Sequence, residues 1–207
     1  MKILLLGSHP SALNIIPFRH RLTALFSEIF AMNNAWDILR GYPQHWLHSS
    51  DFNRLGTLLP CSDDRALFVE ERENFSQKPK WYQFPETGTM FLNSMYHIYN
   101  TYLSGGLREI HVLGCDCDYS DNGKTHFYGV GKLNGRTRKL LRNSKYAGIA
   151  ADPMRFGERP LRLALDRMVA DFSPVAIYTL SANPKQLLPF QYYSLEQLFP
   201  DETARGK

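Results

Sequence analysis

The chain has 207 residues, 43% of them apolar and 21% charged, a composition that fits one large or two small globular domains and excludes a disordered chain. Three cysteines (Cys61, Cys115, Cys117) lack the spacing of a zinc site or a disulfide framework, so reduced thiols are expected. The formal charge of +4 is concentrated in residues 132–145, KLNGRTRKLLRNSK, and without the six bases of that stretch 18 bases face 20 acids.

The first apolar run, KILLLG, is closed by Gly7 and reads as a buried parallel strand. It is too short for the apolar region of a signal peptide, and no later run is long enough to span a bilayer. The expectation is a soluble protein of the cytoplasm (the host's, if phage-encoded) with no membrane partner. EIFAMN (28–33), QHWLHS (44–49) and RALFVE (65–70) follow as further short strands. Residues 75–88 read as a loop. A helix is expected from the Thr87 cap to the Gly105-Gly106 pair. Phe91, Met95, Ile98 and Tyr102 lie on one of its faces, with Leu92, Tyr96, Tyr99 and Leu103 on the adjoining one.

EIHVLG (109–114) is the fifth strand and VAIYTL (175–180) the sixth. Between them a helix is expected to start at Pro160, with Leu161, Ala164, Leu165, Met168 and Phe172 on its apolar stripe. Strands alternating with helices predict a single α/β domain over 1–200, with a mostly parallel sheet covered by helices on both faces. The basic segment at 131–155 reads as a lid, and 201–207 as a frayed tail.

Open parallel sheets bind ligands beyond the carboxyl ends of their strands. There the first strand delivers Gly7, Ser8, His9 and Ser11, whose loop amides and polar groups suit a phosphate. The second ends in Asn33, able to donate and accept on a base edge or ribose, and the third in HSSD, which includes Ser49. Thr87, Gly88 and Thr89 stand at a helix mouth that favours an anion or serves as a plain cap. The fifth strand is followed by Asp116, Asp118, Tyr119 and His126, a hydrogen-bonding acid pair, a phenol and a candidate base. Asp116 and Asp118 read either as ligands of a divalent metal such as Mg²⁺ holding a nucleotide diphosphate, or as one acid capping loop amides with the other in solvent.

Taken in order, MKILLLGSHPSAL, FAMNN, ETGTM, REIHVLGCDCDY, THFYG and RLALDRMVADFSPVAIYTLSANPKQL resemble the bacterial sialyltransferases of glycosyltransferase family 42 and related small Rossmann-like proteins of bacteria and phages. The resemblance implies a Rossmann-like, GT-A-like domain and a nucleotide-sugar donor, CMP- or UDP-linked, with no cofactor required. Gly7, Ser8 and Ser11 would border the phosphate and Asn33 would hold the nucleotide. Thr87 to Thr89 would meet the donor sugar or phosphate, Tyr119 would assist phosphate departure, and a histidine would take the acceptor's proton. The chain departs from the pattern in four places: Val130 stands where the family has its base, four residues past His126; one extra residue separates Asp116 from Tyr119; His9 replaces a Gly or Asn; and the stretch before His126 is shorter. His126 is thus the candidate base by proximity, and sialic acid is not implied as the donor sugar.

The function expected is glycosyl transfer to an acceptor hydroxyl, with Arg136, Arg138 and Lys139 offsetting charge on the leaving phosphates. DNA, as in phage DNA modification, is an acceptor that the basic stretch suits. Two rivals stand beside it: an Mg²⁺-dependent pyrophosphokinase of the pterin type, and a non-catalytic nucleotide-binding phage-type protein. Neither the sugar, the acceptor nor the oligomeric state is legible in the sequence.

Overall fold

The computed structural model describes residues 1–42, 44–48, 66–68, 90–116 and 158–200. Strand β1 (Lys2–Leu6) leads into a 3₁₀ segment, η1 (Pro10–Arg21), and a single turn of helix, α1 (Leu22–Leu25). Next come β2 (Glu28–Met32), a second 3₁₀ segment, η2 (Asn33–Leu39), β3 (His45–His48), β4 (Ala66–Phe68) and helix α2 (Met90–Tyr102). The described chain closes with β5 (Glu109–Leu113), α3 (Glu158–Asp171), β6 (Ala176–Thr179), β7 (Gln191–Tyr192) and α4 (Leu195–Leu198).

The seven described strands form one sheet in the order β4-β3-β2-β1-β5-β6-β7, and every neighbouring pair is parallel. Successive strands from β1 to β4 step outward on one side of β1. From β5 to β7 they step outward on the other, so the winding reverses between β1 and β5. This is an α/β architecture, and all six strands read from the sequence are present within a residue or two of their expected ends.

Because side chains alternate across a strand, β1 feeds two cores at once. Ile3 and Leu5 join Phe30, Met32, Leu47, Ile110 and Val112 on one face, covered by Phe91, Leu92, Met95 and Ile98 of α2 and by Ala164, Leu165 and Met168 of α3. Leu4 and Leu6 join Ile29, Ala31, Leu113 and Leu180 on the other, covered by Ala12 and Ile15 of η1, Ala35, Ile38 and Leu39 of η2, and Leu195. Each fully buried Leu, Ile or Phe contributes about 1.5–3 kcal/mol relative to exposure. The helix α2 has the broad apolar arc its sequence requires, and it is locked to α3. The Tyr99 ring stacks on Phe172 at 4.2 Å between centroids, and the Tyr96 hydroxyl donates to Asp171 Oδ2 at 2.7 Å.

One local expectation changes, and further segments appear for which the sequence carried none. Pro160 is the third residue of its helix rather than the first. The whole first turn of a helix lacks intrahelical acceptors for its N–H groups, so proline is accommodated throughout it. Residues 10–21 and 33–39 form 3₁₀ segments that no 3.6-residue apolar period announces, and Pro17 lies inside the first. The last described segment, beyond β6, adds the short strand β7 and the single turn α4, capped reciprocally by Ser194 and Gln197. The loop at 75–88, the basic segment 131–155 and the tail 201–207 lie outside the described residues. Among those that are described, no helix is long and apolar enough to cross a membrane.

His111, 1% exposed in the middle of β5, is the polar intruder in the second core. Its Nε2 lies 2.9 Å from Glu109 Oε2 and its ring packs against Phe26 and Tyr178. Burial pushes its pKa below the usual histidine value, with Lys2 adding to the shift and the Glu109 carboxylate offsetting part of it. A group that binds protons more weakly folded than unfolded stabilises fully above its unfolded pKa, near 6.5, and progressively less as pH falls toward the folded value. The urea midpoint is therefore expected to fall between pH 7.5 and pH 5.5, and to fall less in His111→Phe. Equal slopes in the two proteins would contradict this account.

Candidate functional site

The polar cluster sits where the winding reverses. Past the ends of β1 and β5 the two chains stay joined, Gly7 N donating to Leu113 O at 2.8 Å and His9 N to Gly114 O at 2.9 Å. Such contact requires bare backbones. A Cβ on Gly7 would collide with the Gly114 carbonyl and come within 2.6 Å of Cys115 Sγ, and one on Gly114, whose φ is +75°, would meet Gly7 O at 2.5 Å. Crossing this closely, the loops bring His9 and Ser11 over Asp116.

The Asp116 side chain is completely buried. Ser11 Oγ donates to its Oδ1 at 2.9 Å, Ser181 Oγ donates to its Oδ2 at 2.6 Å, and His9 Nδ1 lies 3.1 Å from Oδ2. Burial alone would lift the carboxyl's pKa, but the contacts from His9, Ser181 and Ser11 outweigh it and hold the group below the usual carboxylate range. The Asp116 carbonyl also accepts from Leu187 N at 3.0 Å, so the loop after β6 is fastened to the same residue.

That loop is built on its own side chains. Ser181 Oγ accepts from Asn183 N at 3.2 Å, Thr179 Oγ1 donates to Gln186 Oε1 at 2.8 Å, and Gln186 Nε2 donates to Ser181 O at 2.9 Å. Three strand ends, those of β1, β5 and β6, are thereby tied to one carboxylate. His9 and Ser11 are the partly exposed members of the cluster, and the His9 side chain is 16% exposed. Its Nδ1 lies near Ser11 N (3.2 Å) and Ser11 Oγ (3.0 Å) as well as the carboxylate, and its Nε2 has no hydrogen bond among the described residues.

Of the residues singled out in the sequence, Gly7, His9, Ser11 and Asp116 come together here, with Ser8 in the turn between Gly7 and His9. Asn33 opens η2 directly after β2, one strand over from β1. Ser49, Thr87, Gly88, Thr89, Asp118, Tyr119, His126, Arg136, Arg138 and Lys139 lie outside the described residues. Asp116, read from sequence either as a ligand of a divalent metal or as an acid capping loop amides, has both carboxylate oxygens engaged by protein groups, two serine hydroxyls and the His9 ring. Among the described residues no group of three or more His, Cys, Asp or Glu side chains is arranged to hold a metal.

The sequence reading missed Ser181, and it gave His9 only a phosphate-facing part. The signal for the former was there: LSANPKQ follows the sixth strand, so its Ser and Asn-Pro turn fall at a strand's carboxyl end like the other candidates. Comparison with protein-family models, with curated proteins and with solved structures finds no match.

Proposed function

We propose that this chain is a glycosyltransferase with a Rossmann-like, GT-A-like domain, binding a nucleotide-sugar across the carboxyl ends of its parallel strands and passing the sugar to an acceptor hydroxyl. The observation that carries the reading is the convergence of the β1, β5 and β6 ends on Asp116 at the reversal of strand order, where open α/β sheets take their ligands. In this reading the Gly7–Ser8 turn borders the donor phosphates, and Asn33 holds the nucleoside from the neighbouring strand end. The family resemblance of the sequence supplies the chemistry: Thr87 to Thr89 meet the donor and Tyr119 assists departure of the phosphate. Arg136, Arg138 and Lys139 neutralise charge on that leaving group, and the basic stretch they belong to tracks an acceptor such as DNA.

The test is thermal stabilisation by CMP, UDP, GDP and ATP, each with and without Mg²⁺. A ligand at about 100 times its Kd adds roughly 2.7 kcal/mol of stability. CMP or UDP is expected to raise the Tm by several degrees without metal. A response to ATP alone, and only with Mg²⁺, would replace transfer by the pyrophosphokinase reaction, and silence across the panel would remove both. DNA binding, if it supplies the acceptor, is expected to weaken steeply with added salt.

A further inference from the structure

We infer that His9, in place of the His126 expected from the sequence, is the proton acceptor of this site and that Ser181, acting through Asp116, is the residue that positions it for that task. The geometry leaves His9 Nδ1 a choice it can make only once. It lies 3.2 Å from Ser11 N, which would need its lone pair, and 3.1 Å from Asp116 Oδ2, which would need its proton. A nitrogen lone pair facing a buried, ionised carboxylate oxygen at that distance is repulsive, and nothing else neutralises that charge: among the described residues no other charged group pairs with Asp116, and the remaining contacts are hydroxyls. The proton therefore belongs on Nδ1, directed at Oδ2. Nε2 is left as the basic nitrogen, on a side chain that keeps part of its surface open.

Ser181 matters because it shares Oδ2 with His9. Its hydroxyl, itself accepting from Asn183 N, donates into the same oxygen at 2.6 Å and so holds the carboxylate in the place where the His9 Nδ1 proton meets it. The step balances within the transfer reading. The acceptor's O–H proton passes to Nε2 as its oxygen bonds to the anomeric carbon, and the bond from that carbon to the phosphate oxygen breaks, its electron pair leaving with the nucleotide.

The inference rests on the transfer reading for the identity of the acid but not for the state of the imidazole, so it is tested first without any nucleotide. Long-range ¹H–¹⁵N correlation spectra of the full chain, taken across pH 5–9, report the tautomer and titration of His9. The expected result is a neutral form protonated on Nδ1. Asp116→Asn is expected to raise the fraction protonated on Nε2, since the charge that holds the Nδ1 proton is gone, and Ser181→Ala to raise it to a lesser degree as Asp116 loses the bond that places it. A neutral form protonated on Nε2 in the wild type would overturn the assignment of His9, and a Ser181→Ala tautomer ratio that coincides with wild type would overturn that of Ser181. Where CMP- or UDP-sugar turnover is present, His9→Ala is expected to lower kcat about 100-fold or more while CMP or UDP still raises the Tm. Loss of that stabilisation would make His9 a phosphate ligand instead.

Discussion

Gly7→Ala is expected to destabilise the protein by about 3 kcal/mol or more, a large share of the roughly 5–15 kcal/mol that holds a native domain folded. The obstacle is backbone rather than side chain: the new methyl would overlap the Gly114 carbonyl, and its approach to Cys115 Sγ, at 2.6 Å, adds to the clash. A flexible side chain could rotate away. Two strand ends held together by the bonds from Gly7 N and His9 N can separate only by giving up those bonds and the register between β1 and β5. Gly114→Ala should do comparable harm, since its φ of +75° adds strain to the collision with Gly7 O. By contrast, Gly105→Ala meets only Tyr102 O, at 3.4 Å, and serves as the control. Urea denaturation decides the matter, and a Gly7→Ala midpoint within error of the Gly105→Ala midpoint would refute the packing argument.

Asp116→Ala should be nearly as damaging, at about 3–5 kcal/mol, because it strands two hydroxyls and an imidazole N–H around a buried hole. Asp116→Asn keeps the shape but turns one acceptor into a donor facing donors, so it should lose about 2–4 kcal/mol. The pH dependence separates charge from shape. The folded carboxyl titrates below its ordinary range, so its contribution is complete above the unfolded value near 3.9 and is lost as pH falls through the folded pKa. The stability gap between wild type and Asp116→Asn should hold from pH 7 to about pH 4 and close below it. Urea midpoints at pH 7, 4 and 3 measure this, and a gap that persists undiminished at pH 3 would show that the carboxylate's charge is not what matters.

Much of the architecture can be read along the chain. Short apolar runs such as Ile3–Leu6 have no polar alternation, which is how a strand buried on both faces looks. The arc of α2 and the stripe from Ala164 to Phe172 declare helices that cover a sheet. The 3₁₀ segments escape such reading because their apolar positions follow no helical period, and β7 escapes it because two residues, both exposed, carry no pattern at all.

At the site, local sequence determined which residues stand at strand ends. Gly7, Ser11 and Asp116 follow β1 and β5 directly, and a polar residue after a buried strand must find a partner or solvent. Which partner it finds was decided only by the tertiary structure. Strand order sets β5 between β1 and β6, so Asp116 meets a serine 105 residues earlier and another 65 residues later. Neither separation has any period or spacing to announce it. A buried carboxylate takes its donors from whatever the sheet places beside it, and the sheet is assembled by long-range pairing that no local window of sequence contains.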